Sequence, residues 1–125
     1  MKIALTSVIV NDTEKAFAFY TTVLGFLEKM HIPEAALSIV VSPEEPDGTA
    51  LLLEPNNNPV SKTFQEAVYK MGLPLIIFGV TDIQLEYRRL KNLGVAFRGE
   101  PVKTEWGTQV LLEDTCGNLI QLHQV

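Results

Sequence analysis

Val10-Asn11-Asp12 and Val80-Thr81-Asp82 stand at an offset of 70 residues, and each closes a β-rich run and opens a helical one. Ahead of the first, residues 2–10 carry Ile3, Thr6, Val8, Ile9 and Val10, side chains that suit a pleated strand. Asp12 is a good N-cap, because its carboxylate accepts from the first unpaired backbone N–H groups of a helix. Behind it Ala16, Phe17, Tyr20, Val23 and Leu24 fall on one apolar stripe, and Gly25 supplies the left-handed residue that ends many helices. The second copy repeats the plan. Residues 73–80 predict a strand, Thr81-Asp82 a cap, and Ile83, Tyr87 and Leu90 a helical stripe closed by Leu93-Gly94.

Each helix is followed by three strand candidates. In the first copy these are residues 26–32, 35–42 and 49–54, the last two separated by the turn-forming Pro43-Glu44-Glu45-Pro46-Asp47-Gly48. In the second copy they lie near residues 95–98, 104–113 and 118–125. The order is therefore β-α-β-β-β twice, an α+β plan. Between the copies, Glu54-Pro55-Asn56-Asn57-Asn58-Pro59 reads as a loop. Ser61 then caps a linker helix with the stripe Phe64, Ala67, Val68 and Met71, ending at Gly72.

Composition narrows the function classes. With 46% hydrophobic and 20% charged residues in 125, the chain has material for a packed core. Ten Lys and Arg against 15 Asp and Glu give a formal net charge of −5, which repels phosphate backbones and argues against nucleic acid. No apolar run is long enough to cross a membrane, and the first residues are too sparsely apolar for an export signal. A single cysteine, Cys116, cannot form an internal disulfide and fits a reducing cytoplasm.

The element order and local wording resemble the vicinal oxygen chelate superfamily, which includes glyoxalase I, extradiol dioxygenases and bleomycin-resistance proteins. The resemblance rests on Val10-x-Asp12 with Phe19-Tyr20 and Leu24-Gly25-Phe26, and on Leu90-x-x-Leu93-Gly94-Val95. It rests most of all on the tail Glu113-Asp114-Thr115-Cys116-Gly117-Asn118-Leu119-Ile120-Gln121-Leu122, where the family reads D-P-x-G-N-x-I-E-L. It implies one glyoxalase/bleomycin-resistance-like domain over residues 1–125: module 1 about 1–54, linker helix about 55–72, module 2 about 73–125. It further implies a mixed sheet curled into a cup with helices on the outer face, and a homodimer. Enzymes of this family hold a divalent metal with side chains from four strands. Aligned strand by strand, those positions fall on Leu5, Leu52, Leu75 and Gln121. Leucine has no N, O or S donor, and burying a cation among methyl groups is prohibitively costly, so no metal and no cofactor is expected at the family's site.

Strand alternation then sorts the implied cup. The face holding Leu5, Leu52, Leu75 and Gln121 also takes Ile3, Ser7, Ile9, Ala50, Glu54, Ile77, Gly79, Leu119 and His123, with Gln109 and Glu113 by the same parity on their strand. The opposite face takes Val8, Val10, Leu51, Leu53, Ile76, Phe78, Val80, Ile120 and Leu122, fit to pack under helices. An apolar hollow with a few polar fixtures is the usual makeup of a small-molecule site. Ser7, Glu54, Gln109, Gln121 and His123 are the candidate ligand-binding residues. Trp106, beside Gly107 at a strand start, is a further one: it either stacks on a planar ligand from a rim or packs in a core or dimer contact. Gln121 and Ser7 alternatively bond each other or a buried water. His31 reads as a loop-edge residue, Cys116 as a small turn residue, and Arg98 either as surface or as a partner for an anion.

The leading functional expectation is a metal-free protein that sequesters or carries a small, largely apolar or aromatic molecule. Two alternatives stay open. One is a metal-dependent lyase, isomerase or dioxygenase with a relocated site built from His31, His123, Glu54 and Glu113. The other is a metal-free enzyme using His123 or Glu54 as general base.

Overall fold

The computed structural model describes residues 1–125, and the chain divides into two compact units, Met1–Thr63 and Phe64–Val125.

In the first unit β1 (Leu5–Val10) leads into α1 (Thr13–Ala18), then β2 (Leu27–Ile32), β3 (Leu37–Val41) and β4 (Ala50–Pro55). Asp12 caps α1, its carboxylate accepting from the backbone N–H of Glu14 and Lys15 at 3.1 and 3.0 Å. The helix then widens into a π-helical turn over Phe19–Val23 before Gly25 reverses the chain at φ 92°. The strands form a four-stranded sheet in the order β1-β4-β3-β2, with β1 parallel to β4 and the other pairs antiparallel. Alternation sorts the two faces as the sequence predicts. Val8, Val10, Val40, Leu51 and Leu53 are buried together with Ala16, Phe19 and Tyr20 of the helix. On the other face Leu5 and Ser7 are exposed while Ile9, Ile39 and Leu52 are half-buried.

In the second unit β5 (Pro74–Gly79), α3 (Ile83–Asn92), β6 (Val102–Thr104), β7 (Gly107–Glu113) and β8 (Leu119–Gln124) repeat that order. Their sheet runs β5-β8-β7-β6, again with one parallel pair, β5 with β8. Asp82 caps α3 through the Leu85 N–H, and the Gln124 side-chain carbonyl accepts from the Ile83 N–H at 2.7 Å, satisfying another free donor of the first turn. Ile83 and Leu90 are buried with Val110, Leu112, Ile120 and Leu122. The remaining helix, α2 (Pro59–Lys70), runs from the end of the first unit into the second.

Four sequence expectations need correction, the first being the cap of α2: the helix starts at Pro59, and Asn58, whose side-chain oxygen accepts from the Ser61 N–H at 2.9 Å, holds the place expected for Ser61. The strand expected near residues 95–98 is only an isolated bridge, Phe97 to Leu112, and the edge strand is β6, beyond Gly99 and Pro101. Gly99 at φ 108° and the missing N–H of Pro101 interrupt the ladder between them. The strand expected over residues 104–113 is split by a turn at Glu105 and Trp106, so β7 starts at Gly107. Helix α2 does not bury the stripe Phe64, Ala67, Val68 and Met71. Phe64 and Met71 are exposed, and the buried residue is Gln65.

Gln65 is buried because the D-x-x-G-N loop offers it partners. Its amide N–H groups donate to the Cys116 carbonyl and to Asn118 Oδ1, both at 3.0 Å. Within the loop the buried Asp114 carboxylate accepts from the Cys116 N–H at 2.7 Å, the Asn118 N–H at 3.0 Å and the Asn118 side-chain amide at 2.8 Å. Thr115 and Gly117 both take positive φ to make the turn. The tail motif is thus a hydrogen-bonded corner that delivers the chain into β8, and the burial of Cys116 follows from it.

Candidate functional site

Each unit turns one sheet face to its helix and leaves the other largely open, and the candidate ligand-binding residues stand on the open faces or at their margins. In the first unit these are Ser7 on β1 and Glu54 on β4, both exposed, in register with Leu52 and Ile9 respectively. Leu5, at 49% exposure, is an apolar residue left half open.

The second unit holds the denser set. Two cross-strand rows carry it: Ile77, Gln121 and Leu111 in one, Gly79, His123, Gln109 and Val102 in the next. Gln121 Nε2 donates to Gln109 Oε1 at 3.2 Å, a partner other than the Ser7 hydroxyl or buried water that the sequence reading offered. Whichever way the two amides are turned, the pair keeps one further donor group and one further acceptor. The His123 imidazole leans towards Gly107, with Nε2 3.0 Å from where a Cβ there would lie. Ile77 at 56% exposure gives the face its apolar character.

Glu113 shares the parity of Gln109 but is not free to receive a ligand. Arg98 donates to it through Nη2 at 2.8 Å and Nε at 2.9 Å, and Tyr69 Oη lies 3.0 Å from both carboxylate oxygens. The Arg98 guanidinium, stacked 5.5 Å from the Tyr69 ring centre, is held above its already high ordinary pKa, first by the hydrogen bond to Glu113 and then by that to Tyr69. Tyr69 was not among the residues the sequence singled out. A helix residue reaching a strand 44 positions later leaves no periodic trace. Trp106 sits in the β6–β7 turn, 76% exposed, with its backbone N–H on Thr104 Oγ1. It is therefore no core residue of its unit.

His31 belongs to neither open-face row. It stacks on Phe17, and its Nε2 lies 3.0 Å from both Glu14 carboxylate oxygens. Within each unit, no group of three or more His, Cys, Asp or Glu side chains that could hold a metal ion comes together. At the family's ligand positions, Leu5 and Leu52 offer only hydrocarbon, and Leu75 does too, at a register shift between Pro74 and Ile76. The Gln121 amide is engaged with Gln109. These residues do not fit a divalent ion, whose inner shell requires several N, O or S donors.

Comparison with known proteins agrees with this architecture. The family model described as Glyoxalase/Bleomycin resistance protein/Dioxygenase superfamily matches residues 2–122. The chain is 48% identical over 126 aligned residues to the uncharacterized protein YurT of Bacillus subtilis (strain 168), covering 99% of each. Among solved structures it is similar to UcmS2, with a TM-score of 0.81 and 28% identity over 98% of this chain and 97% of that one. It is also similar to TnmS3, described as an antibiotic binding protein from Streptomyces sp. CB03234. There the TM-score is 0.77 and the identity 29%, over 99% of this chain and 95% of that one.

Proposed function

The chain belongs to the glyoxalase/bleomycin resistance protein/dioxygenase superfamily, and from that premise we propose that it binds a small, largely apolar or aromatic organic molecule without a metal at the family's ligand positions. The observation that carries this reading is the open face of the second unit, where the Gln109–Gln121 amide pair and His123 stand beside Ile77 and Leu111. Removing a ligand's apolar surface from water supplies about 25 cal/mol per Å² before ordering costs. The amides and the imidazole supply orientation. The likeness to an antibiotic-binding protein supports the same class of role, sequestering or carrying a compound rather than transforming it.

In this reading Ser7 and Glu54 are the polar contacts of the first unit, and Trp106 is an aromatic flap that stacks on a flat ligand. Pairing of two copies into a homodimer covers apolar groups such as Leu5 that a unit leaves half open. The working site is the cytoplasm, where Cys116 stays reduced. No helix is long and apolar enough to cross a membrane.

Titration with the neutral fluorescent aromatic 3-hydroxyflavone tests the reading. The wild-type protein is expected to bind it with no added metal, and Ile77→Asp to weaken binding about tenfold or more, since a carboxylate would have to be desolvated against the ligand. Binding that requires a divalent ion, or that Ile77→Asp leaves unchanged, contradicts it. Light scattering on the eluting protein checks the dimer.

A further inference from the structure

Gly79 has no local reason to be glycine. It ends β5 after Leu75, Ile76, Ile77 and Phe78, and its φ lies outside the positive range that favours glycine. A Cβ built on it meets no atom within 4 Å. Gly107 provides the contrast: its φ is 129°, and a Cβ there would run into the Gln124 carbonyl oxygen, so glycine is required. Glycine in a strand costs about 0.5–1 kcal/mol relative to alanine through the freedom lost on folding. At the end of β5, a glycine that neither backbone nor neighbours require leaves its peptide open to close approach from outside the sheet.

The surroundings of Gly79 indicate what approaches. His123 is its direct partner across the parallel β5–β8 ladder, and its ring nitrogens make no hydrogen bond in the structure. Gln109 follows in the same row, with the spare donor and acceptor of its pair with Gln121. The rows carry no charge that lacks a partner: neither includes an acidic or basic residue other than the histidine, and the nearby Glu113 is matched by Arg98. A bare peptide plane, an unengaged imidazole and an amide pair form a flat, neutral, hydrogen-bonding surface.

We propose that Gly79 is a specificity-determining position: its missing side chain seats a planar, uncharged aromatic ring bearing a hydroxyl or carbonyl group. The ring lies against the Gly79 peptide beside His123, and its polar group bonds to the imidazole or to the free valences of the Gln109–Gln121 pair. This inference rests on the small-molecule-binding reading above and adds to it the ligand's class and the place where its ring rests. A branched side chain at position 79 fills the seat without disturbing the fold.

The test uses full-length protein and 3-hydroxyflavone, with two readouts. Fluorescence titration compares wild type with Gly79→Val, and ring NMR signals follow His123 in the wild type with His31 as internal reference. The expected result is about tenfold or greater weakening in Gly79→Val at an unchanged melting temperature. The His123 signals shift on binding and those of His31 stay still. Equal affinity of Gly79→Val and wild type, or a shift at His31 with none at His123, overturns the seat while leaving the broader reading standing. Failure of the wild type to bind the probe at all removes that reading and the seat with it. If the valine variant does not fold, the His123 shift in the wild type decides.

Discussion

The imidazole of His31 lies flat on the ring of Phe17, centroids 3.8 Å apart and planes 9° from parallel, and its Nε2–H donates into the Glu14 carboxylate. The contact joins α1 to β2, the edge strand of its sheet, whose residues are otherwise almost all exposed. Apart from its ladder with β3, little else holds this strand down.

His31→Ala is accordingly expected to cost about 1 kcal/mol, from one aromatic stack and a half-exposed hydrogen bond to Glu14. The loss should be local. Hydrogen exchange is predicted to speed up in Leu27–Ile32 while Ala50–Pro55 stays protected. Uniform acceleration through both strands would mean that the stack supports the whole unit.

Ser38 is the cross-strand neighbour of His31, and its hydroxyl is buried with no hydrogen-bond partner. An unpaired buried hydroxyl has lost its water and gained nothing in exchange. Ser38→Ala is therefore predicted to be neutral or to stabilise by about 1 kcal/mol in urea unfolding. Destabilisation would show that the hydroxyl has a partner, such as an ordered water.

The corner at Asp114 carries the opposite expectation. Its carboxylate answers two backbone N–H groups and the Asn118 amide at full burial. Asp114→Ala leaves those donors unmatched and is predicted to destabilise by about 3 kcal/mol, a large loss for one substitution. Asp114→Asn keeps one acceptor oxygen and should retain part of the stability. Near-wild-type unfolding of Asp114→Ala would contradict the structural role given to the tail motif.

Gly107 and Gly79 differ in what their backbones require. Gly107→Ala must move either the Gln124 carbonyl or its own left-handed backbone, and is predicted to lower stability by about 2 kcal/mol or more. Gly79→Ala meets open space and should leave the melting temperature level or slightly raised. A calorimetric comparison of the two variants checks the pair.

Much of this architecture is legible in the residues. The repeat at Val10 and Val80, the caps Asp12 and Asp82, and the alternation that buries Val8 and Leu53 all express local rules, and the structure follows them. The open-face residues Gln109, Gln121 and His123 were legible for the same reason, since parity fixes which side a strand residue takes. What escaped depends on long-range partners. Gln65 is buried through groups more than fifty positions away, which outweighs the apolar pull of Phe64 and Met71 on the helix. Glu113 reads as a free carboxylate until Arg98 and Tyr69 are brought to it. The register shift beside Leu75 and the interrupted β7 edge arise from pairing choices that no single segment encodes.

Under the proposed function, hydrocarbon at Leu5, Leu52 and Leu75 leaves these sheet faces to organic ligands in place of a coordinated ion. Native mass spectrometry of protein purified without chelator, then offered zinc, nickel, manganese and iron in turn, addresses it most directly. Masses of the bare chain or its dimer, with or without an organic adduct, and no stoichiometric metal are expected. One tightly held divalent ion per chain, lost on substitution of residues on the open faces, would contradict it.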